Sequence, residues 1–248
     1  MRISEKQLNM PAGALIKTTL VDYPGRVACS FFLKGCNIRC PYCYNRALVL
    51  EDETDGSLVS AETVIAHLEK RKNVLTGFVL SGGEPLLNPL TPFLIGEARK
   101  KGYKIKLDTN GTLPDLLEKL VSDPALKPDF IAMDIKTSPN KYAELLSPCS
   151  RALAETMEDR LKQSVNIIAS YPPTLREFRT VLVPPLVSAE DIKNMGALLP
   201  KDASWQFAQF RNENCINPSY NEITPYSDKE IEDLVGQAKE LIAGAALR

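Results

Sequence analysis

The stretch VACSFFL (residues 27–33) runs directly into KGCNIRCPYC (residues 34–43), so an apolar, β-rich segment delivers Cys36, Cys40 and Cys43 to the loop behind it. Three cysteines in eight residues, spaced C-x3-C-x2-C, supply three thiolates and no fourth. A structural zinc site closes its tetrahedron with four protein ligands, whereas an iron-sulfur cluster on three thiolates leaves one metal open to an outside ligand. An open position implies chemistry at the metal. The spacing also admits a zinc knuckle completed by Cys29, Cys149, Cys215 or His67, or a set of reduced, buried thiols.

Working outward, 248 residues with 44% hydrophobic and 25% charged side chains suffice for one good-sized core. The 30 basic and 31 acidic side chains leave a formal charge of -1, without the basic surplus that nucleic acid or an anionic membrane usually demands. Residues 1–10 contain no apolar core of a signal peptide, and no stretch reaches the roughly 18–20 apolar residues of a membrane span. Six cysteines, half of them in one loop, suit a reducing compartment better than a disulfide scaffold. A cytoplasmic protein with no nucleic-acid or membrane partner is expected.

Short apolar runs alternate with helical patterns, the signature of βα units and a parallel sheet. Strands are expected at Val27–Leu33, Gly77–Leu80, Tyr103–Asp108, Phe130–Asp134, Glu177–Val183 and Ser204–Phe210. Helices are expected at Ala61–Lys72, Pro89–Lys101, Leu113–Ser122, Ala152–Ile168, Ala189–Leu198 and Asp228–Ala243, with Ser60 and Ser227 as N-caps and Gly102 at a C-cap. Six units are too few for the eight-stranded barrel, so a single domain over residues 1–248 with a partial, laterally open (β/α)6 barrel is expected.

In barrels of this kind the site lies in loops at the C-terminal strand ends. The second strand ends in Ser81-Gly82-Gly83-Glu84-Pro85, the third in Asp108-Thr109-Asn110-Gly111, the fourth in Asp134-Ile135-Lys136, and the fifth carries Arg179. Paired glycines permit close backbone approach to a ligand, and Lys136 or Arg179 suits a carboxylate. Each also has a plain reading: a turn before a helix, an Asx turn at Asp108–Gly111, a solvated strand end at Lys136. Cys29 and Trp205 read as core, and His67 as a surface or packing residue.

The cysteine loop, with Tyr42 before the third cysteine, followed by Gly-Gly-Glu-Pro, resembles radical S-adenosylmethionine enzymes. TTLVDYPGR (residues 18–26), GCNIRCPYCYN (35–45), LSGGEPLL, LDTNG, MDIK and FRTVLVP narrow the resemblance to activating enzymes of glycyl radical enzymes, nearest to the activase of anaerobic ribonucleotide reductase. The resemblance implies a 4Fe-4S cluster on Cys36, Cys40 and Cys43, with S-adenosylmethionine chelating the open iron. It further implies reductive cleavage of that cofactor, fed by flavodoxin or ferredoxin, and removal of a hydrogen atom from a glycine of the partner enzyme. Tyr42, Tyr44, Gly82, Gly83, Glu84, Asp108, Asn110, Asp134, Lys136, Arg179 and Arg211 are the implied cofactor-binding positions, with a monovalent cation near Asp134. No catalytic residue beyond cluster and cofactor is expected. Tyr44 stands where many activases have His, and Pro184-Pro185 replaces the usual Pro-Gly. A radical enzyme acting on a small molecule, resembling 7-carboxy-7-deazaguanine synthase, and a non-enzymatic zinc or electron-carrier module are the alternatives.

Overall fold

A computed structural model describes residues 3–50, 57–145 and 155–248 of the chain. Cys149 and the start of the helix expected from Ala152 lie outside them. The chain divides into two compact units, one built from Met1–Asn37, Ala47–Thr109 and Glu118–Ile131, the other from Ile38–Arg46, Asn110–Leu117 and Ala132–Arg248.

In the first unit, helix α1 (Glu5–Asn9) begins at a capping box of Ser4 and Gln7 and leads into β1 (Pro11–Thr19). Strand β2 (Ala28–Leu33) runs antiparallel to β1, with Gly13 opposite Leu33 and Thr19 opposite Ala28. The short helix α2 (Arg46–Val49) starts at the unit boundary, and β3 (Val59–Ser60) adds antiparallel to the outer side of β1. The βα alternation then begins with α3 (Ala61–Arg71), whose N-cap Ser60 accepts the Thr63 N–H at 3.2 Å. Strand β4 (Gly77–Gly82) lies parallel to β2 in unbroken register from Ala28–Gly77 to Leu33–Gly82. Helix α4 (Leu90–Lys100) ends before Gly102, whose φ of +85° suits a residue without a side chain, and β5 (Lys104–Thr109) pairs parallel with β4. Helix α3 buries Ala61, Val64 and Leu68, the i, i+3, i+7 stripe of an amphipathic helix. Phe31, Leu33, Phe78, Leu80, Ile105 and Leu107 are fully buried in the sheet.

After α5 (Pro114–Ser122), β6 (Phe130–Asp134) carries the chain into the second unit, where the strand order is β6, β7 (Arg176–Leu182), β8 (Ser204–Gln209), β9 (Gly244–Leu247). The intervening helices are α6 (Met157–Ala169), α7 (Ala189–Gly196) and α8 (Asp228–Leu241), the last two entered through capping boxes at Ser188–Asp191 and Ser227–Glu230. Strands β7, β8 and β9 are parallel, and Trp205, fully buried, donates its indole N–H to Thr180 Oγ1 at 2.9 Å.

The α/β class and all six expected strands are present, displaced by at most two residues. Three strands were not expected. Strand β1 opens on Pro11 and contains Gly13, both poor strand formers, yet a side chain at Gly13 would collide with the Phe32 carbonyl, so tight backbone packing explains the glycine. The helix expected to reach Ala243 stops at Leu241, because Ile242 turns extended (φ -137°) and Gly244–Leu247 pairs with β8. No helix among the described residues is long and apolar enough to cross a membrane.

Candidate active site

In the first unit, the paired glycines after β4 press against the chain that leads into the cysteine loop. Gly83 donates its N–H to the Leu33 carbonyl at 2.9 Å, and Glu84 donates to the Gly35 carbonyl at 2.7 Å. A Cβ on Gly83 would fall on the Gly35 carbonyl oxygen and lie 3.2 Å from Cys36 Cβ. Gly82 adopts φ +117° and leaves no room beside Leu33. These glycines therefore set the height at which Cys36 leaves the sheet.

Glu84 is fully buried, and its Oε1 accepts from the Leu86 N–H at 3.1 Å and the Thr109 hydroxyl at 2.9 Å. One strand position earlier, Asp108 pairs with Lys106, Nζ to Oδ1 at 2.9 Å, and the lysine lies 5.6 Å from the Phe130 ring centroid. Asp108 is 9% exposed and Lys106 1%. Lys106 escaped the sequence reading, although a lysine two residues before Asp108 occupies the same strand face.

In the second unit, Cys43 donates its N–H to the Cys40 carbonyl at 3.0 Å, closing a turn that fixes both cysteines. A brace from residues 215–217 holds this turn: Ile216 N–H donates to the Cys43 carbonyl and Asn217 N–H to the Pro41 carbonyl, each at 2.9 Å. Arg46 fastens the brace, its Nη1 lying 3.0 Å from the Cys215 carbonyl and 3.3 Å from that of Ile216. Tyr42 is buried edge-on against Phe210 with centroids 6.4 Å apart, while Tyr44 and Arg211 are exposed. Burial pushes the Cys43 thiol up, and the Cys215 thiol is raised by burial and by the neighbouring Cys43.

The same unit gathers Asp134, Lys136 and Arg179. Asp134 Oδ2 lies 3.1 Å from Lys136 Nζ, and Oδ1 lies 2.9 Å from Arg179 Nε. Burial opposes the charge on Asp134, but the flanking guanidinium and ammonium outweigh it and hold the carboxyl well below the usual range. Burial likewise works against the Lys136 ammonium, but Asp134, together with Tyr42, Cys40 and Tyr142, outweighs it and leaves this lysine well above its ordinary value. The Lys136 N–H donates to Tyr142 Oη at 3.0 Å, which anchors the backbone two residues beyond the strand. Asn110 is buried and accepts from both the N–H and the hydroxyl of Thr112, at 3.0 and 2.7 Å, so an Asx turn is formed here.

The donor chemistry in the two units suits the group that the sequence implies. Thiolates are the ligands of iron-sulfur clusters, and acidic and basic side chains at strand ends can receive a zwitterion. Among the described residues no three His, Cys, Asp or Glu side chains converge on a single metal ion. That requirement belongs to a mononuclear site, since the thiolates of a cluster ligate different irons.

Comparison with known proteins agrees. Residues 30–170 match the family model of the Radical SAM superfamily. A provisionally named glycyl-radical enzyme activating enzyme of Methanocaldococcus jannaschii is 26% identical over 235 residues, covering 94% of each chain. A protein of the same provisional name from Haemophilus influenzae is 25% identical, covering 75% of each. Among solved structures, TYW1 with a lysine-pyruvate adduct bound superposes with a TM-score of 0.58 at 14% identity, over 86% of this chain and 73% of that one, a likeness of fold. The protein is a radical SAM enzyme: with its cysteine loop inside a family match that spans more than half of its length, the chain belongs to the Radical SAM superfamily.

Proposed function

We propose that this enzyme is the activase of a glycyl radical enzyme, with anaerobic ribonucleotide reductase as the partner. The observation that carries the reading is the 94% mutual coverage with the archaeal relative named for that activity, which extends the likeness beyond the shared cluster segment. When bound, a 4Fe-4S cluster and S-adenosylmethionine supply a one-electron cleavage that ends in removal of a hydrogen atom from the Cα of a partner glycine.

The chain's own residues bind and orient. Cys36, Cys40 and Cys43 hold the cluster, Gly82 and Gly83 fix the level of Cys36, and Glu84 secures that turn. Asp108 and Lys136 take the cofactor's polar groups, with Arg179 and Asp134 aligning Lys136; a monovalent cation at Asp134 belongs to the same reading. Tyr42, Tyr44, Asn110 and Arg211 line the remaining cofactor positions. Flavodoxin or ferredoxin provides the electron.

The test is anaerobic reconstitution, reduction and electron paramagnetic resonance with anaerobic ribonucleotide reductase present. A glycyl doublet on the partner, formed together with 5′-deoxyadenosine, is the expected result. Production of 5′-deoxyadenosine with no radical on any glycyl radical enzyme would assign the protein to small-molecule radical chemistry instead.

A further inference from the structure

We propose that Lys106 is a positioning residue for S-adenosylmethionine, acting through Asp108; this rests on the reading of Asp108 as a cofactor contact. Lysine is almost never fully buried unless paired, and Lys106 is 1% exposed. Its neighbours along β5, Ile105 and Leu107, are fully buried, and in the adjoining strand it stands level with Val79. Val79 belongs to an apolar cluster with Tyr23, Ala28 and Phe130, and the Lys106 ammonium sits 5.6 Å from the Phe130 ring.

An apolar side chain would fill this place without the desolvation cost of an ammonium, and buried ion pairs often give no net stability over such a replacement. The charge therefore serves its partner. Nζ forms an ion pair with Asp108 Oδ1 at 2.9 Å, outside hydrogen-bond geometry, on the same face of β5 and one residue before Thr109, which binds Glu84 of the glycine turn. Lys106 thus keeps the Asp108 carboxylate in place for a cationic ligand group, with no contact of its own to the ligand. A fixed acceptor costs less ordering when the ligand arrives than one that must be immobilised.

The experiment measures equilibrium binding of S-adenosylmethionine to anaerobically reconstituted wild type, Lys106→Met, Lys106→Gln, Asp108→Asn and the Lys106→Met/Asp108→Asn double variant. The cofactor-induced change in the reduced cluster's paramagnetic resonance spectrum is recorded alongside. The expected result is a loss of affinity on the order of 10–100-fold in each Met or Asn single variant, with the double variant no weaker than Asp108→Asn. Lys106→Gln, which keeps a donor without the charge, should be intermediate, and it carries the comparison if Lys106→Met does not fold. Wild-type affinity in both Lys106 variants beside a weakened Asp108→Asn overturns the proposal, as do losses that multiply in the double variant. Absence of wild-type binding, or wild-type affinity in Asp108→Asn, overturns the cofactor reading itself and the proposal with it.

Discussion

Thr109 and Glu84 share a hydrogen bond, Oγ1 to Oε1 at 2.9 Å, that joins the end of β5 to the glycine turn after β4 inside the buried part of the first unit. Because Glu84 also caps Leu86, its carboxylate ties β5 to the 3-10 turn at Pro85–Leu87, while its backbone N–H donates to the Gly35 carbonyl. Replacing Thr109 with Val keeps the volume and removes one donor to a buried anion, at a cost of about 1.5–3 kcal/mol. Glu84→Ala loses more, since Thr109 and the Leu86 N–H both forfeit their acceptor. Thermal unfolding should rank the variants wild type, Thr109→Val, Glu84→Ala; equal melting temperatures would show that the carboxylate is not a structural tie.

Two glycines of the first unit should respond in opposite ways to alanine. At Gly83 the new methyl would meet the Gly35 carbonyl, which is backbone and cannot swing aside, so Gly83→Ala should displace Cys36 and reduce cluster retention as well as stability, by about 1–3 kcal/mol or more. Gly96 lies inside α4 with open space around its Cβ position, and Gly96→Ala should stabilise by roughly 0.5–1 kcal/mol. Iron and sulfide content after reconstitution, read with the melting temperature, checks both.

Much of this was legible beforehand because the strands bordering the site are short apolar runs with glycine or aspartate at their ends, and those ends carry the motifs. Walking from strand end to strand end places the cysteine loop, the paired glycines and Asp134–Lys136 behind β2, β4 and β6. Lys106 could not, because alternation along β5 treats a lysine between Ile105 and Leu107 as solvent-facing, whereas this strand is buried on both faces. The Arg46 brace was equally hidden: its partners lie 169 and 170 residues away, and no local pattern encodes such a contact. The Asx turn at Asn110 was readable because its partner is two residues along.

The brace on the cysteine turn gives a prediction of its own. Arg46→Met retains much of the aliphatic stem and removes the guanidinium that gathers the Cys215 and Ile216 carbonyls, so the backbone bonds to Cys43 and Pro41 lose their support. A loss of about 1–2 kcal/mol is expected, with faster release of iron to a chelator than from wild type. An unchanged release rate would mean that residues 215–217 hold the loop without help.

Acid should loosen the Asp134 cluster. The carboxyl is depressed in the folded protein, so its contribution is present above the unfolded value of about 3.9 and is lost as pH falls below that toward the lower folded value. Lys136 is raised, so its contribution is complete below about 10.4 and is lost only above that, as pH climbs through the folded value. Asp134→Asn should cost about 1.5–3 kcal/mol at pH 7 and flatten the acid limb of the stability profile. Denaturant unfolding of both proteins between pH 3 and pH 7 makes the comparison; parallel profiles would remove Asp134 as the titrating group.

Cys29 offers a test of which cysteines serve the metal. It is fully buried on β2, and desolvation pushes its thiol up to about 12, so near pH 8 the thiolate that iodoacetamide requires is scarce. Cys36, at the edge of the first unit, is partly accessible. In metal-free native protein, alkylation followed by peptide mass spectrometry should label Cys36 while Cys29 stays unmodified until the fold is opened. Cys29→Ala should then bind as much iron and sulfide as wild type. Loss of metal in that variant, with the fold intact, would bring Cys29 into the ligand set and revive the zinc-knuckle reading of the loop.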